Sequence, residues 1–329
     1  MKRKWIGLAA ALLLAGALAG CKETGSDGLS ENELFSLEGE VCTREEAAVF
    51  FLGKKAGYEA SYGEGIWDAP IGEGTLADRL KEEFEPYVVR IKCAAVMALQ
   101  KGIVPDEALE QRFVQAAKAY MEVLPTESKE AAGITENGAA AAFRDYYLAC
   151  AFIDSLETGE ISEDEARVVT IQQIFFSTEG LSDEEKAARR ALAEEALGRA
   201  QAGEDFLMLA GAYGDGGETE RSLFRDSVEP LPEEAVFSLS SGQLSGVLET
   251  EEGFYLVKCL NNYDAESTAE NKSRLEGELK NQEFSRLFRA FPETVSVKYN
   301  RAAWEKLELS GVPCGEADFY GIFKEYLGA

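Results

Sequence analysis

Two strand-like runs, RVVTIQQIFF (Arg167 to Phe176) and GFYLVKC (Gly253 to Cys259), bracket a stretch that otherwise carries helical spacing. β-Branched and aromatic residues in short runs favour a pleated sheet, whereas apolar residues three and four apart bury one face of a helix. After the first run, Ser182 and Glu185 have the spacing of a capping box. Ala188, Leu192, Ala196 and Ala200 follow on one face and Gly203 comes after the end. Asp205 can cap a second helix, with Phe206, Leu209, Ala210 and Tyr213 inward. A loop rich in Gly, Asp and Glu leads to Leu223 and Phe224. Pro232 to Leu239 reads as a short helix, Ser241 and Gly242 as a turn, and 247–249 with 253–260 as a closing hairpin. The order β-α-α-β-α-β-β is that of a small antiparallel sheet with helices packed on it.

The flanks read as helical. Thr43 and Glu46 form a capping box ahead of Ala47, Phe50 and Phe51, with Gly57 as the expected stop. A loop rich in Gly, Tyr and Trp occupies 58–75. Leu76, Leu80, Phe84, Val88, Ile91, Ala95 and Leu99 then mark a long helix to about Lys101, with Pro86 as an expected kink. Gly102 ends it and Pro105 permits a new start. Further helices are expected over 106–122 and 136–157, and Ser162 with Glu165 repeats the capping box just before the sheet. On the other side, 267–291 reads as a helix stopped by Pro292. Val295, Val297 and Tyr299 read as a short strand, and 302–327 as a helical tail. The expected class is α+β, a small sheet domain at 166–262. It is framed by helices of 34–165 and a C-terminal segment, 263–329, that packs on the N-terminal part. The aromatic positions of the helices are expected in the core, since none joins a reactive constellation.

The first twenty residues read as a targeting signal, to be excluded from the fold. Lys2, Arg3 and Lys4 precede an apolar stretch, Ile6 to Ala19, that is shorter than the roughly 20 residues a bilayer span needs. It ends in Leu18, Ala19, Gly20 and Cys21, the pattern of a bacterial lipobox, and the Cys21 thiol is the expected acceptor of lipid. Residues 21–33 then form an anchored polar tether. The formal charge is −27, and about −30 once the signal's three positive charges are removed. Phosphate backbones would be repelled, so nucleic acid is not an expected partner. The negative field keeps an exported chain soluble and suits basic unfolded segments.

The sequence has no histidine, which removes every mechanism that moves a proton through imidazole and every histidine-bound metal. The cysteines after Cys21 (Cys42, Cys93, Cys150, Cys259 and Cys314) form no CxxC pair, so most are expected as buried apolar residues.

GEDFLMLAGAYGD (203–215) and EEAVFSLSSGQLSGVLETEEGFYLVKC (233–259) resemble, in order, segments of parvulin-type peptidyl-prolyl isomerases. LEGEVCTREEAAVFF and ISEDEARVV resemble parts of the helical domain of extracytoplasmic foldases of the PrsA and SurA kind. The resemblance covers about 95 residues and implies a peptide-binding site without cofactor or metal. Gln173 and Tyr255 stand where the family carries its two histidines, and Asp215, next to Gly216, where it carries a reactive cysteine or aspartate. Phe224, Val228, Leu231 or Pro232 and Thr250 fall at substrate-pocket positions, with Arg221 replacing an apolar residue there, a change expected to weaken proline docking. The implied function is a membrane-anchored extracytoplasmic isomerase that assists exported proteins and binds unfolded or newly exported polypeptides. A non-catalytic, parvulin-like chaperone and a solute-binding lipoprotein are the alternatives. The latter lacks its two large α/β lobes.

Overall fold

The computed structural model describes residues 28–291 and 294–328. The signal, Cys21, most of the tether and Pro292 lie outside the described residues. The chain divides into two compact units, one of 159–279 and one of 28–158 with 280–328.

The helical unit opens with β1 (Glu33–Leu37) and β2 (Glu40–Thr43), an antiparallel hairpin at the start of the stretch expected to be mainly helical. Its two turn residues, Glu38 and Gly39, both have positive φ (51° and 89°), as a type I′ turn requires. Helix α1 (Arg44–Tyr62) starts at Thr43, where both bonds of the capping box form. It runs past Gly57 and ends at Gly63, so the expected stop is corrected: a lone exposed glycine costs a helix only about 1 kcal/mol, which continued packing offsets. The expected loop contains a short 3-10 turn (Glu64–Asp68) and the hairpin of β3 (Pro70–Ile71) and β4 (Gly74–Thr75). Helix α2 (Leu76–Gln100) passes through Pro86 unbroken. Helices α3 (Glu107–Val123), α4 (Thr126–Ala132) and α5 (Glu136–Asp154) follow. The seven-residue α4 was not anticipated, and α5 stops three residues before the expected 157.

The sheet unit contains α6 (Glu163–Ala166), β5 (Val168–Ser177), α7 (Asp183–Gln201), α8 (Phe206–Tyr213), β6 (Glu220–Phe224), α9 (Glu233–Phe237), β7 (Leu248–Glu249), β8 (Gly253–Asn261) and the start of α10 (Ala265–Ala290). The chain re-enters the helical unit at Lys280, within α10, and continues with β9 (Val297–Tyr299), α11 (Arg301–Glu305) and α12 (Phe319–Tyr326). The expected continuous tail helix is thus two short helices. Gly311, Pro313 and Gly315, the last with a φ of 55°, interrupt it. Strand β9 pairs with β1, giving a sheet ordered β2-β1-β9, so the C-terminal segment contributes a strand as well as helices to this unit.

Within the helical unit, the fully buried Phe319 of α12 is ringed by aromatic side chains. It stacks on Phe143 at 4.4 Å and meets Phe50 at 5.4 Å and Tyr146 at 5.5 Å edge-on. The same unit holds a buried ion network. Lys92 of α2 reaches Asp145 of α5 at 2.5 Å and Glu46 of α1 at 3.3 Å, with all three side chains no more than 6% exposed. A cavity of about 480 Å³ adjoins it, with Glu40, Glu45, Thr135 and Arg144 in its walls. Cys42, Cys93, Cys150, Cys259 and Cys314 are all buried, and among the described residues none forms a disulfide. Among the described residues no helix is long and apolar enough to cross a membrane.

The four-stranded sheet has the order β6-β5-β8-β7, with every neighbouring pair antiparallel. One face carries Ile174, Phe176, Phe254 and Leu256 against Ala193 and Ala196 of α7 and Phe206, Leu209 and Ala210 of α8. The alanines keep that side of α7 flat. Gly253, with φ of 151°, opens β8 so close to β5 that a Cβ would lie 2.1 Å from the Phe176 carbonyl oxygen. The other face carries Val169, Ile171, Leu223, Tyr255, Val257 and Cys259, and this is where the residues singled out in the sequence converge.

Candidate functional site

Strand register decides which of those residues meet. In β5–β8 pairing Gln173 lies opposite Val257 and Phe175 opposite Tyr255. Side chains on a strand alternate, so Gln173, Phe175 and Tyr255 share the face of Val169 and Ile171. Arg221, paired with Ile171, shares it too. The Tyr255 ring is 5% exposed and stacks on Phe175 with centroids 4.6 Å apart. Its hydroxyl donates to Glu252 Oε2 at 3.2 Å. Burial, together with this carboxylate, pushes the phenol up to about 12, against a weaker opposite pull from Arg221. Tyr255 therefore stays protonated at neutral pH.

Gln173 donates its backbone N–H to the Thr219 carbonyl at 2.8 Å and its side-chain Nε2 to the Glu218 carbonyl at 2.9 Å. Its Oε1 is buried with no partner among the described residues. Both donations fasten the 215–220 loop against β5. Asp215 is held at the strand's end: its Oδ2 accepts from the Ser177 N–H at 2.7 Å and pairs with Arg189 of α7. Its own N–H donates to the Phe175 carbonyl at 2.9 Å.

The remaining positions separate. Val228 and Leu231 are each 4% exposed and lie in the apolar cluster beneath Tyr255 and Val257. Pro232, by contrast, is exposed. Thr250 fastens the β7–β8 turn, its N–H and Oγ1 both donating to the Gly253 carbonyl at 2.9 and 3.1 Å. Phe224 does not join them. It pairs with Val168, one residue out of phase with Leu223 and Val169, so it faces the opposite side of the sheet. There Arg274 of α10 lies over its ring at 4.6 Å. Phe175, Arg189 and Glu252 belong to the site's architecture but were not singled out in sequence. Only Phe175 had a signal there, lying two residues from Gln173 on the same strand face. No group of His, Cys, Asp and Glu suited to a metal occurs among the described residues.

Residues 158–263 match the PPIC-type PPIASE domain family. Among curated proteins the chain is 37% identical over 98 residues to chaperone SurA of Bordetella pertussis, covering 28% of this chain. The SurA of Bordetella bronchiseptica matches at the same level. The chain spans 19% of the length of these relatives. Among solved structures it is similar to the peptidylprolyl isomerase PrsA of Bacillus cereus, with a TM-score of 0.37 and 17% identity over 80% of this chain and 100% of that one. The foldase protein PrsA of Lactococcus lactis gives 0.34 and 15% over 84% and 97%. The segment 158–263 is thus a parvulin-type, PPIC-type PPIase domain, homologous to a domain of the SurA chaperones, within a larger mixed helix-and-sheet chain.

Proposed function

We propose that the chain is a membrane-anchored extracytoplasmic foldase that binds unfolded exported polypeptides and accelerates rotation about their prolyl bonds. The match of 158–263 to the PPIase family carries this reading. The lipobox ending in Cys21 supports export and anchoring. Rotation about a peptide bond faces a barrier of about 18–20 kcal/mol. It makes and breaks no covalent bond, so it needs no proton relay. A surface that desolvates the prolyl amide and favours its twisted form lowers that barrier. The face of β5, β6 and β8 has parts for this. The partly buried Phe175 ring, backed by Tyr255, offers apolar surface for the pyrrolidine over the floor of Val228 and Leu231. Gln173, tied through its side chain to the Glu218 carbonyl, holds the 215–220 loop at the edge of this surface. Asp215 and Thr250 act as positioning residues through Ser177 and the β7–β8 turn, and Phe224 braces the back of the sheet.

The test is a protease-coupled cis–trans assay on a proline peptide with the chain solubilised in detergent. Acceleration over the uncatalysed exchange, which takes tens to hundreds of seconds, is the expected result. The rate should be flat from about pH 6 to 9, because the site has no histidine and Tyr255 stays protonated there. Breaking the Arg189–Asp215 tie with Arg189→Ala should lower it about tenfold through misplacement of the β5 end. A second reading, a chaperone that holds chains without isomerising them, is favoured by the burial of Val228 and Leu231 and by a cation at Arg221. Suppressed aggregation of an unfolded client with no acceleration of prolyl exchange would establish it in place of the first.

A further inference from the structure

The sheet unit is rich in arginine–carboxylate pairs. Arg167, Arg189, Arg190, Arg199, Arg225 and Arg274 each hold an Asp or Glu. Arg221 is the exception: among the described residues it forms no ion pair, although its strand neighbour is Glu220. Register explains this, since Glu220 pairs with Gln172 on one face of the sheet and Arg221 with Ile171 on the other. Arg221 Nη2 donates to the Ser227 carbonyl at a long 3.3 Å, which leaves most of the planar fork of N–H donors unused. The side chain is partly buried and close enough to Tyr255 to oppose the rise of that phenol. An unpaired guanidinium on a half-buried apolar face is a receptor for a carboxylate, which it can bind through two parallel hydrogen bonds.

Building on the peptide-binding reading above, we propose that Arg221 is a specificity-determining residue that selects polypeptide segments with an acidic side chain immediately before the proline. The ring of the proline rests at Phe175 and Tyr255, and the preceding Glu or Asp pairs with Arg221 on the same face. The negative field of the rest of the chain attracts basic segments overall, so Arg221 sets the local register of a client rather than its net charge.

The probes are the peptides Ala-Glu-Pro-Phe and Ala-Gln-Pro-Phe, each made with a free and with an amidated C-terminus. Their binding to the detergent-solubilised chain is measured by calorimetry at low and high salt. The Glu peptide should bind about five- to tenfold tighter than the Gln peptide, whichever C-terminus it carries. The ratio should shrink as salt rises. Arg221→Gln should bring the ratio to about one, and Arg221→Lys should restore part of it, because a point charge lacks the fork. A circular dichroism melt of each variant establishes that it is folded. Equal binding of Glu and Gln peptides, or a Glu preference that persists in a folded Arg221→Gln variant, overturns the proposal while peptide binding itself stands. A preference that follows the C-terminal carboxylate overturns it equally. Failure of all four peptides to bind overturns the peptide-binding reading and this proposal with it.

Discussion

Replacing Lys92 by methionine should cost the helical unit about 3–5 kcal/mol, the range for removing one partner from a buried ion pair. Among the described residues Lys92 is the only cation within bonding distance of Glu46 and Asp145, which come from different helices and are both almost fully shielded. Without it, two buried carboxylates face each other uncompensated. Wild type already carries part of this tension, because two acids share one ammonium. Burial alone would lower the Lys92 ammonium, but the Asp145 and Glu46 carboxylates outweigh it and hold the lysine charged. Burial raises Asp145 to about 6, with Lys92 pulling the other way and Glu46 adding to the rise. The folded pKa thus exceeds the unfolded value of about 3.9, and the folded state holds the proton more tightly. This group's stabilisation is complete below about pH 4 and is lost as the pH climbs through 6. Acidifying from pH 7 to 5 should therefore stabilise this network, and do so more in Lys92→Met. Urea unfolding followed by tryptophan fluorescence reads the helical unit, since Trp67 and Trp304 both lie there. Adding Asp145→Asn to Lys92→Met should recover part of the loss. Equal stability of Lys92→Met and wild type would refute the network's role.

Phe319→Ala should cost a similar amount, about 3–5 kcal/mol, through the lost transfer energy and the cavity left behind. Phe319 has no exposed surface, and its ring touches aromatic side chains from α1, α3 and α5 at once. The fit is close enough that Gly53 has no room for a side chain: a Cβ there would lie 2.6 Å from that of Phe319. Phe319→Leu, which keeps most of the volume, should cost less than half as much. Hydrogen exchange should show the loss first in α12 and the loop before it. A Phe319→Ala variant with unchanged exchange across 309–328 would contradict this packing.

What could be read from the sequence depended on local signals. The Thr43, Ser162 and Ser182 capping boxes all form as read, because each is set by residues three apart and needs no distant partner. Helix α2 was legible from seven apolar residues on one stripe. Strands β1 and β2 were not: β1 spans only Glu33–Leu37, its turn is Glu-Gly rather than a common turn pair, and β9, which completes its pairing, lies over 250 residues away. The tail failed for the opposite reason, as apolar spacing over 302–327 hid a loop ordered by tertiary contacts such as Lys55 donating to the Ser310 and Val312 carbonyls.

The site was legible as a set of positions and not as a geometry. Gln173 and Tyr255 share a face because they lie on neighbouring strands in a register the sequence does not state. Phe224 lies on the other face because it is three residues from Arg221 on the same strand, and odd separations put side chains on opposite faces. Asp215 could be placed near the strand end by resemblance, but its engagement by Arg189 depends on where α7 packs. That Arg221 forms no ion pair among the described residues follows from tertiary placement, since every other arginine of the unit holds a carboxylate.

The most direct measurement is photocrosslinking of an unfolded proline-containing client to the detergent-solubilised chain, with a benzophenone placed next to the proline and the attachment site read by mass spectrometry. Attachment should fall on the face of β5, β6 and β8, at residues adjoining Phe175, Arg221 and Tyr255. Attachment that spares 159–279 altogether, or that is unchanged when excess proline peptide competes, would contradict the proposal that client chains are engaged on this face.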